Sequence, residues 1–286
     1  MTSTVTLEAL NRMPSSDFVA ELGEVFEHAP WVAEGALAGR PYPTVSALHD
    51  AMVGIVRNAA ADRRHAFIAG HPELGSRVAR RELTDHSQAE QGGLGLDRLS
   101  AEEFDRFSRL NAAYRDKFRF PFIVCVRRHT RDSILRQFER RLVNDLETEQ
   151  AAALYEIGLI TRLRLVAKVD GPGKPQTTGR LSTHVLDTKA GRPASGVKVA
   201  LYEVGGSARS LLAETATNAD GRTDKPLIAG EPLRIGTYEL HFDVGGYFNE
   251  GFFSTVPIRF SIAEPEGHYH VPLLVTPWSY STYRGS

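Results

Sequence analysis

Two histidines stand two positions apart in His268-Tyr-His-Val-Pro-Leu-Leu-Val275, a run that reads as a β-strand. Side chains alternate along a strand, so His268 and His270 face one side. Imidazole takes and gives protons near neutral pH, and on strands it is also a zinc ligand. The chain then closes on Tyr283-Arg284-Gly285-Ser286. Terminal residues are usually solvated; this polar, aromatic ending reads as a docked one. A third histidine, His71, precedes Pro72 in Ala69-Gly-His-Pro-Glu-Leu-Gly75. The proline pushes His71 out of the helical basin, which predicts a helix starting at Pro72 with His71 at its entrance. Taken alone, His71 is an ordinary turn residue and Glu90 an ordinary solvated acid. His28, His49, His65, His86 and His129 have no such context and read as surface or structural.

Composition narrows the chemistry. Among 286 residues, 34 basic and 35 acidic side chains leave a net charge of −1, so nothing draws the whole chain to nucleic acid or an anionic membrane. A local basic pocket for a small anion is still open. Cys125 is the single cysteine, which excludes an intrachain disulfide and a thiolate zinc site and reads as a small buried apolar residue. No carboxylate completes a metal set around the strand histidines, so no metal is expected. No run of 18 apolar residues occurs, and Met1-Thr-Ser-Thr-Val-Thr-Leu-Glu8 has neither a basic nor an apolar leader region. The expectation is a cytoplasmic protein.

The elements that must position these residues fall into two kinds. The first half, to about residue 167, is periodic at helical spacing, with stripes such as Phe18, Leu22, Val25, Phe26 and Leu48, Met52, Ile55, Val56. Ser100-Ala-Glu-Glu103 is a capping-box candidate ahead of Phe104, Phe107, Leu110, Asn111 and Tyr114. Thr130 is a cap candidate for a helix carrying Ile134, Leu135 and Phe138, and a long helix is expected over about 146–166. Six to eight helices and no clear alternating strand describe an all-α, bundle-like domain over residues 1–167. Residues 168–179 hold three glycines and two prolines and read as a linker without helix or strand. Residues 180–286 carry β-branched runs over 181–186, 197–204, 211–217, 237–242, 257–263 and 270–275. Turn signals such as Asn218-Ala-Asp-Gly221 and Gly245-Gly246 separate them, so an all-β sandwich is expected.

Two resemblances follow from these segments. The closing His-x-His strand and Tyr-Arg-Gly-Ser terminus, with Leu181-Ser-Thr-His184-Val-Leu-Asp187 and Thr217-Asn-Ala-Asp-Gly221-Arg222 upstream, resemble the 5-hydroxyisourate hydrolases, transthyretin-related enzymes of urate breakdown. Trp278-Ser279 and Ser254-Thr255 depart mildly from that pattern. His71-Pro-Glu-Leu-Gly75, Ser87-Gln-Ala-Glu90-Gln91, the segment from Asn111 through Phe122, and Ile160-Thr-Arg-Leu163-Arg164-Leu165 resemble the decarboxylases of 2-oxo-4-hydroxy-4-carboxy-5-ureidoimidazoline (OHCU).

The decarboxylase resemblance implies a helical, cofactor-free and usually dimeric unit. In it His71 and Glu90 are catalytic, and Pro72, Ser87, Gln91, Phe122, Ile123, Val126 and Arg164 cradle the substrate. The hydrolase resemblance implies a transthyretin-like sandwich with His184, Arg222, His270 and Ser286 catalytic and Tyr283 on the ligand. There His268 is a neighbour of the reacting group. It also implies a homotetramer in which each pocket takes residues from two subunits, because one sandwich does not easily bring a first strand, a turn arginine and the C-terminus together with room for a ligand. Together the halves imply a bifunctional enzyme of purine catabolism that acts on 5-hydroxyisourate and OHCU and yields (S)-allantoin. The rival readings are a non-catalytic transthyretin-like binding or scaffolding protein, and a chain with only one active domain.

Overall fold

The computed structural model describes residues 4–74, 101–205 and 208–285. Two compact units emerge: Met1–Arg127 with Ile134–Gln176, and Arg128–Ser133 with Thr177–Ser286. The chain belongs to no single class: the first unit is helical and the second is a β-sandwich.

The helical unit contains α1 (Leu7–Arg12), α2 (Ser15–Leu22), α3 (Pro30–Ala36), α4 (Val45–Arg57), α5 (Ala61–Ala69), α6 (Ala101–Phe118), α7 (Arg131–Arg141) from Ile134 onward, and α8 (Leu146–Lys168). Local chemistry sets their starts. Thr44 accepts from Ala47 N at the start of α4, Thr130 accepts from Ser133 N before α7, and Asp145 accepts from Thr148 N before α8. Apolar faces of these helices merge into one core that includes Phe18, Leu22, Phe26, Leu48, Phe107 and Ile157. Strand was not expected in this half, yet β1 (Val5–Thr6) pairs in parallel with β2 (Val169–Asp170). The stretch read as a linker therefore begins with a strand. Two-residue strands carry no periodicity, and this pair exists only because the two ends of the unit meet.

The second unit is a sandwich of two sheets. One has the order β11-β10-β3-β4, with β7 also on β3; the other has the order β6-β5-β8-β9. The strands are β3 (Arg180–Asp187), β4 (Arg192–Pro193), β5 (Lys198–Gly205), β6 (Ala208–Ala216), β7 (Ile228–Ala229), β8 (Gly236–Asp243), β9 (Thr255–Ile262), β10 (His268–Val275) and β11 (Tyr280–Thr282). Alternate residues such as Leu181, Val185, Val199, Leu201, Leu240, Phe242, Val271 and Leu273 fill the space between the sheets. Where the sequence suggested only a Gly245-Gly246 turn, a short helix α9 (Val244–Phe248) forms, capped by Asp243 accepting from Gly246 N.

The first sheet positions the chemistry. β10 lies parallel to β3, with His268 beside Arg180, His270 beside Ser182 and Pro272 beside His184. Residues aligned in a parallel pair share a face, so His268, His270, Ser182 and His184 all point away from the core. After a turn, β11 runs back antiparallel to β10, and Gly285 reaches the position opposite His270 in the same register. The ladder lapses between them because Pro272 has no N–H to give.

Candidate active sites

The first site is a cleft of about 410 Å³, counting its solvent-filled mouth, in the helical unit. His71, Pro72 and Leu74 form one wall, and Phe122, Ile123, Val124 and Val126 form another. Glu27, Ile160 and Arg164 complete it. His71 does not open a helix. It follows the C-terminus of α5, where Gly70 caps the helix by bonding to Ala66 and Ile68, and no helix begins at Pro72 among the described residues. Its ring is held all the same. Nδ1 donates to the Phe67 carbonyl at 2.9 Å, and the Phe67 ring meets the imidazole edge-on at 4.9 Å. A carbonyl only accepts, so Nδ1 carries the hydrogen and Nε2 holds the lone pair of the neutral ring. Burial holds the imidazole below its usual range and outweighs the Phe67 carbonyl and Glu27, which favour the cation.

The wall at 122–126 is backbone without a sheet partner, so its polar groups are met by side chains. Arg141 Nη1 donates to the Ile123 carbonyl at 2.7 Å, and Glu156 accepts from Cys125 N at 2.8 Å. Phe122 stacks on Phe138 at 3.6 Å and lies under the Arg141 guanidinium at 4.6 Å. Arg141 is in turn paired with Glu149, which also accepts from Asn144 and from the Tyr114 hydroxyl. The sequence marked the wall but not the buried charges that support it.

Glu27 was also missed. It lies in the turn between α2 and α3, is 6% exposed, and accepts from Arg164 Nη2 at 3.2 Å. The available signal was an acid set directly after the apolar stripe ending at Val25 and Phe26. His71, Pro72, Phe122, Ile123, Val126 and Arg164 are thus brought to one cleft, while Ser87, Glu90 and Gln91 lie outside the described residues. The cleft offers a neutral base beside a permanent cation with its counter-charge.

The second site is the outer face of β3 and β10. Arg222 follows a turn in which Asn218 accepts from Asp220 N and Arg222 N, and it bridges to His184 on β3. Gly221, with φ of 70°, lets this turn close on the sheet: a Cβ there would fall 2.3 Å from the Val185 carbonyl and 3.2 Å from the His184 ring. The His184 ring bonds the Asp220 backbone, while its buried Nε2 has no partner. The bonded atom is therefore Nδ1, and Nε2 is an unpaired acceptor. Burial first, then the Arg222 charge, lowers the proton affinity of His184. Burial, Arg222, His184 and His268 together lower that of His270.

The tail docks on this face. Gly285 N donates to the His270 carbonyl at 2.9 Å, and Thr282 Oγ1 donates to Pro272 O at 2.7 Å. A Cβ on Gly285 would sit 2.5 Å from His270 Cδ2, so the close approach requires glycine. One sandwich brings its first strand, the turn arginine and the tail to one face. The strand register and the two glycines make the approach possible. Tyr283 is exposed on the tail, and Ser286 lies outside the described residues. Ser182, which the sequence reading did not weigh, has its hydroxyl 3.1 Å from His268 Nε2 and 3.0 Å from His270 Nδ1.

Residues 11–166 match the family described as OHCU decarboxylase, and residues 181–285 match the HIUase/Transthyretin family. The chain belongs to both families. The 2-oxo-4-hydroxy-4-carboxy-5-ureidoimidazoline decarboxylase of Haloferax volcanii is 40% identical over 164 residues, 57% of this chain and 96% of that protein. The 5-hydroxyisourate hydrolase 2 of Rhizobium meliloti is 52% identical over 117 residues, 38% of this chain and 98% of that protein. A crystal structure of (S)-allantoin synthase aligns with 99% of this chain and 100% of its own, at 35% identity and a TM-score of 0.51. Among the described residues no group of three or more histidine, cysteine or acidic side chains is placed to hold a metal ion, and no helix is long and apolar enough to cross a membrane.

Proposed function

We propose that this chain is a bifunctional enzyme of urate degradation. Its sheet face hydrolyses 5-hydroxyisourate to OHCU, and its helical cleft decarboxylates OHCU to (S)-allantoin. The observation that carries this reading is the presence of both families in one chain, since the product of one activity is the substrate of the other.

On the sheet face, hydrolysis opens a cyclic acyl-urea. His184 takes a proton from water as the water oxygen bonds to the carbonyl carbon. Arg222 holds the anionic ring and the charge on the carbonyl oxygen. The C–N bond then breaks, and His270 supplies a proton to the leaving nitrogen. Tyr283 and Ser286 are assigned to ligand contacts on the family resemblance alone.

In the cleft, losing CO2 from OHCU leaves charge that the conjugated imidazolone absorbs, so no cofactor sink is needed. Arg164 holds the oxygen-rich substrate and Glu27 balances that cation. His71, neutral at pH 7, takes the proton of the substrate hydroxyl and returns a proton to one face of the carbon, which fixes the stereochemistry. Glu90, Ser87 and Gln91 join this cleft on the resemblance, and so does assembly into homo-oligomers, dimeric through the helical unit and tetrameric through the sandwich.

Freshly made 5-hydroxyisourate given to the purified chain, followed by circular dichroism, tests the reading. Fast appearance of (S)-allantoin is expected, with His71→Asn stalling at OHCU and His270→Asn stalling before it. Racemic allantoin at the uncatalysed rate would overturn it.

A further inference from the structure

The sheet face holds a polar group that the proposed hydrolysis does not use. Ser182 is 8% exposed, and its hydroxyl lies 3.1 Å from His268 Nε2 and 3.0 Å from His270 Nδ1. This contact follows from the register: Ser182 is aligned with His270 in the parallel pair, and His268 is one same-face step away on β10. The rings of the two histidines stand 6.4 Å apart, too far to bond each other directly. His268 is exposed, Ser182 is buried and His270 is half-buried under the tail. The three therefore run from solvent to the reacting end of His270.

We propose that Ser182 is a positioning residue that joins His268 and His270 into one proton chain feeding the leaving nitrogen from solvent. A hydroxyl can give one hydrogen and accept another, so it can link two imidazoles in series. As the C–N bond breaks, His270 Nε2 gives its proton to nitrogen. His270 Nδ1 takes the Ser182 hydroxyl proton, and Ser182 Oγ takes the Nε2 proton of His268. His268 is recharged from water at Nδ1. The proton that His184 removed from the attacking water returns to solvent, so the sum is addition of one water. The Ser182 carbonyl also bonds the His270 ring, and Ser182→Ala keeps that contact, so the variant removes the hydroxyl link alone.

This inference rests on the hydrolase reading of the face, and its test separates the two. The full-length protein, Ser182→Ala, Ser182→Thr and His268→Gln are compared in 5-hydroxyisourate hydrolysis across pH, and their histidine ring nitrogens are titrated by NMR. The charged or titrating groups acting on His270 are Arg222, His184 and His268, with Arg180 beside His268; Arg284 on the tail lies over Tyr269 and near Glu264 instead. All stay in place in the serine variants. Ser182→Ala should lower kcat by roughly 100-fold, the low end of general acid–base catalysis, with KM changed less than about twofold. Ser182→Thr should keep kcat within about threefold of the parent, and His268→Gln should fall between them. By NMR, His268 and His270 should titrate as a coupled pair in the parent and in Ser182→Thr, and separately in Ser182→Ala. A Ser182→Ala protein that folds and matches the parent in kcat, pH profile and coupling would overturn the chain. If the parent itself fails to hydrolyse 5-hydroxyisourate, the proposed function falls, and the NMR coupling still decides the chain.

Discussion

The helical cleft and the sheet face place a histidine beside an arginine by opposite means. In the cleft the arginine is buried: Arg164 is 7% exposed and is matched by Glu27 at 6%. Its four walls come from residues near 27, 71, 122–126 and 164, brought together by side-chain packing. On the sheet Arg222 is exposed, and the groups around it are set by backbone register and by two glycines that admit a close approach. A site held by buried charges fails when a charge loses its partner, because the remaining ion is left desolvated. A site held by register fails when an atom is added where the backbone must pass. The two sites should therefore break differently, through stability in the cleft and through rate on the sheet.

The largest effect is expected at Glu149. It is fully buried, accepts from Arg141 Nε at 2.7 Å and from Asn144 at 2.8 Å, and supports the arginine that holds the cleft wall at Ile123. Glu149→Ala leaves the Arg141 cation buried and unpaired. A loss of about 3–5 kcal/mol is expected in urea unfolding followed by helical circular dichroism. A loss below about 1 kcal/mol would mean that the wall does not depend on the pair.

A loss of similar size should come from acid. His49 on α4 bonds Thr161 on α8 at 3.1 Å, and burial lowers its pKa from 6.5 to about 4. The unfolded chain takes up a proton in that interval and the folded chain does not. The contribution of neutral His49 is thus present above pH 6.5 and is lost as pH falls toward 4, in total on the order of 3 kcal/mol. His71, also lowered by burial, acts with the same sign. Thermal unfolding of the parent should fall steeply across this window, and His49→Gln should flatten the slope. Equal slopes in the two proteins would remove His49 from the account.

Gly285→Ala tests the sheet face. The new Cβ meets His270 Cδ2 at 2.5 Å, so the tail must lift away from the ring. Gly285 lies beyond β11 and adds nothing to the core, so unfolding should change by less than about 0.5 kcal/mol. Hydrolysis should slow by about 10- to 100-fold through misplacement of His270 and the tail. Loss of stability without loss of rate would reverse the contrast drawn between the two sites.

The same contrast explains what could be read from the sequence. On the sheet, alternation put His268 and His270 on one face, while His184, Arg222 and the choice of His270 came from the family resemblance. What alternation cannot supply is the neighbour across the ladder, so Ser182, two residues before His184, went unnoticed. The cleft was less legible. Glu27 looks like any solvated acid until Arg164, on a distant helix, is known to face it. The side of the helix on which His71 falls was misjudged because Pro72 marks a helix boundary without saying which. Gly70, bonding back to Ala66, makes that boundary an end. The pair β1–β2 was invisible because two residues have no period. Local pattern encodes which face a strand residue takes, while its neighbour across the ladder and the pairing of buried charges are properties of the assembled fold.

The smallest expected effect bears on that last point. Glu27→Gln keeps an acceptor of the same shape for Arg164 and removes only the charge. The stability cost should be about 1 kcal/mol, the difference between a charged and a neutral hydrogen bond, and well below that of Glu149→Ala. The amide oxygen still accepts from Arg164, whereas Glu149→Ala removes the acceptor of Arg141 altogether. The informative readout is the pH profile of decarboxylation. Glu27 raises the proton affinity of His71 against the lowering by burial. Without that charge His71 stays neutral to lower pH, so the acid limb of the rate should move to lower pH, with the rate at neutral pH little changed. An acid limb that stays fixed while KM rises would confine Glu27 to holding Arg164. A limb that moves upward would show that the group titrating there is not His71.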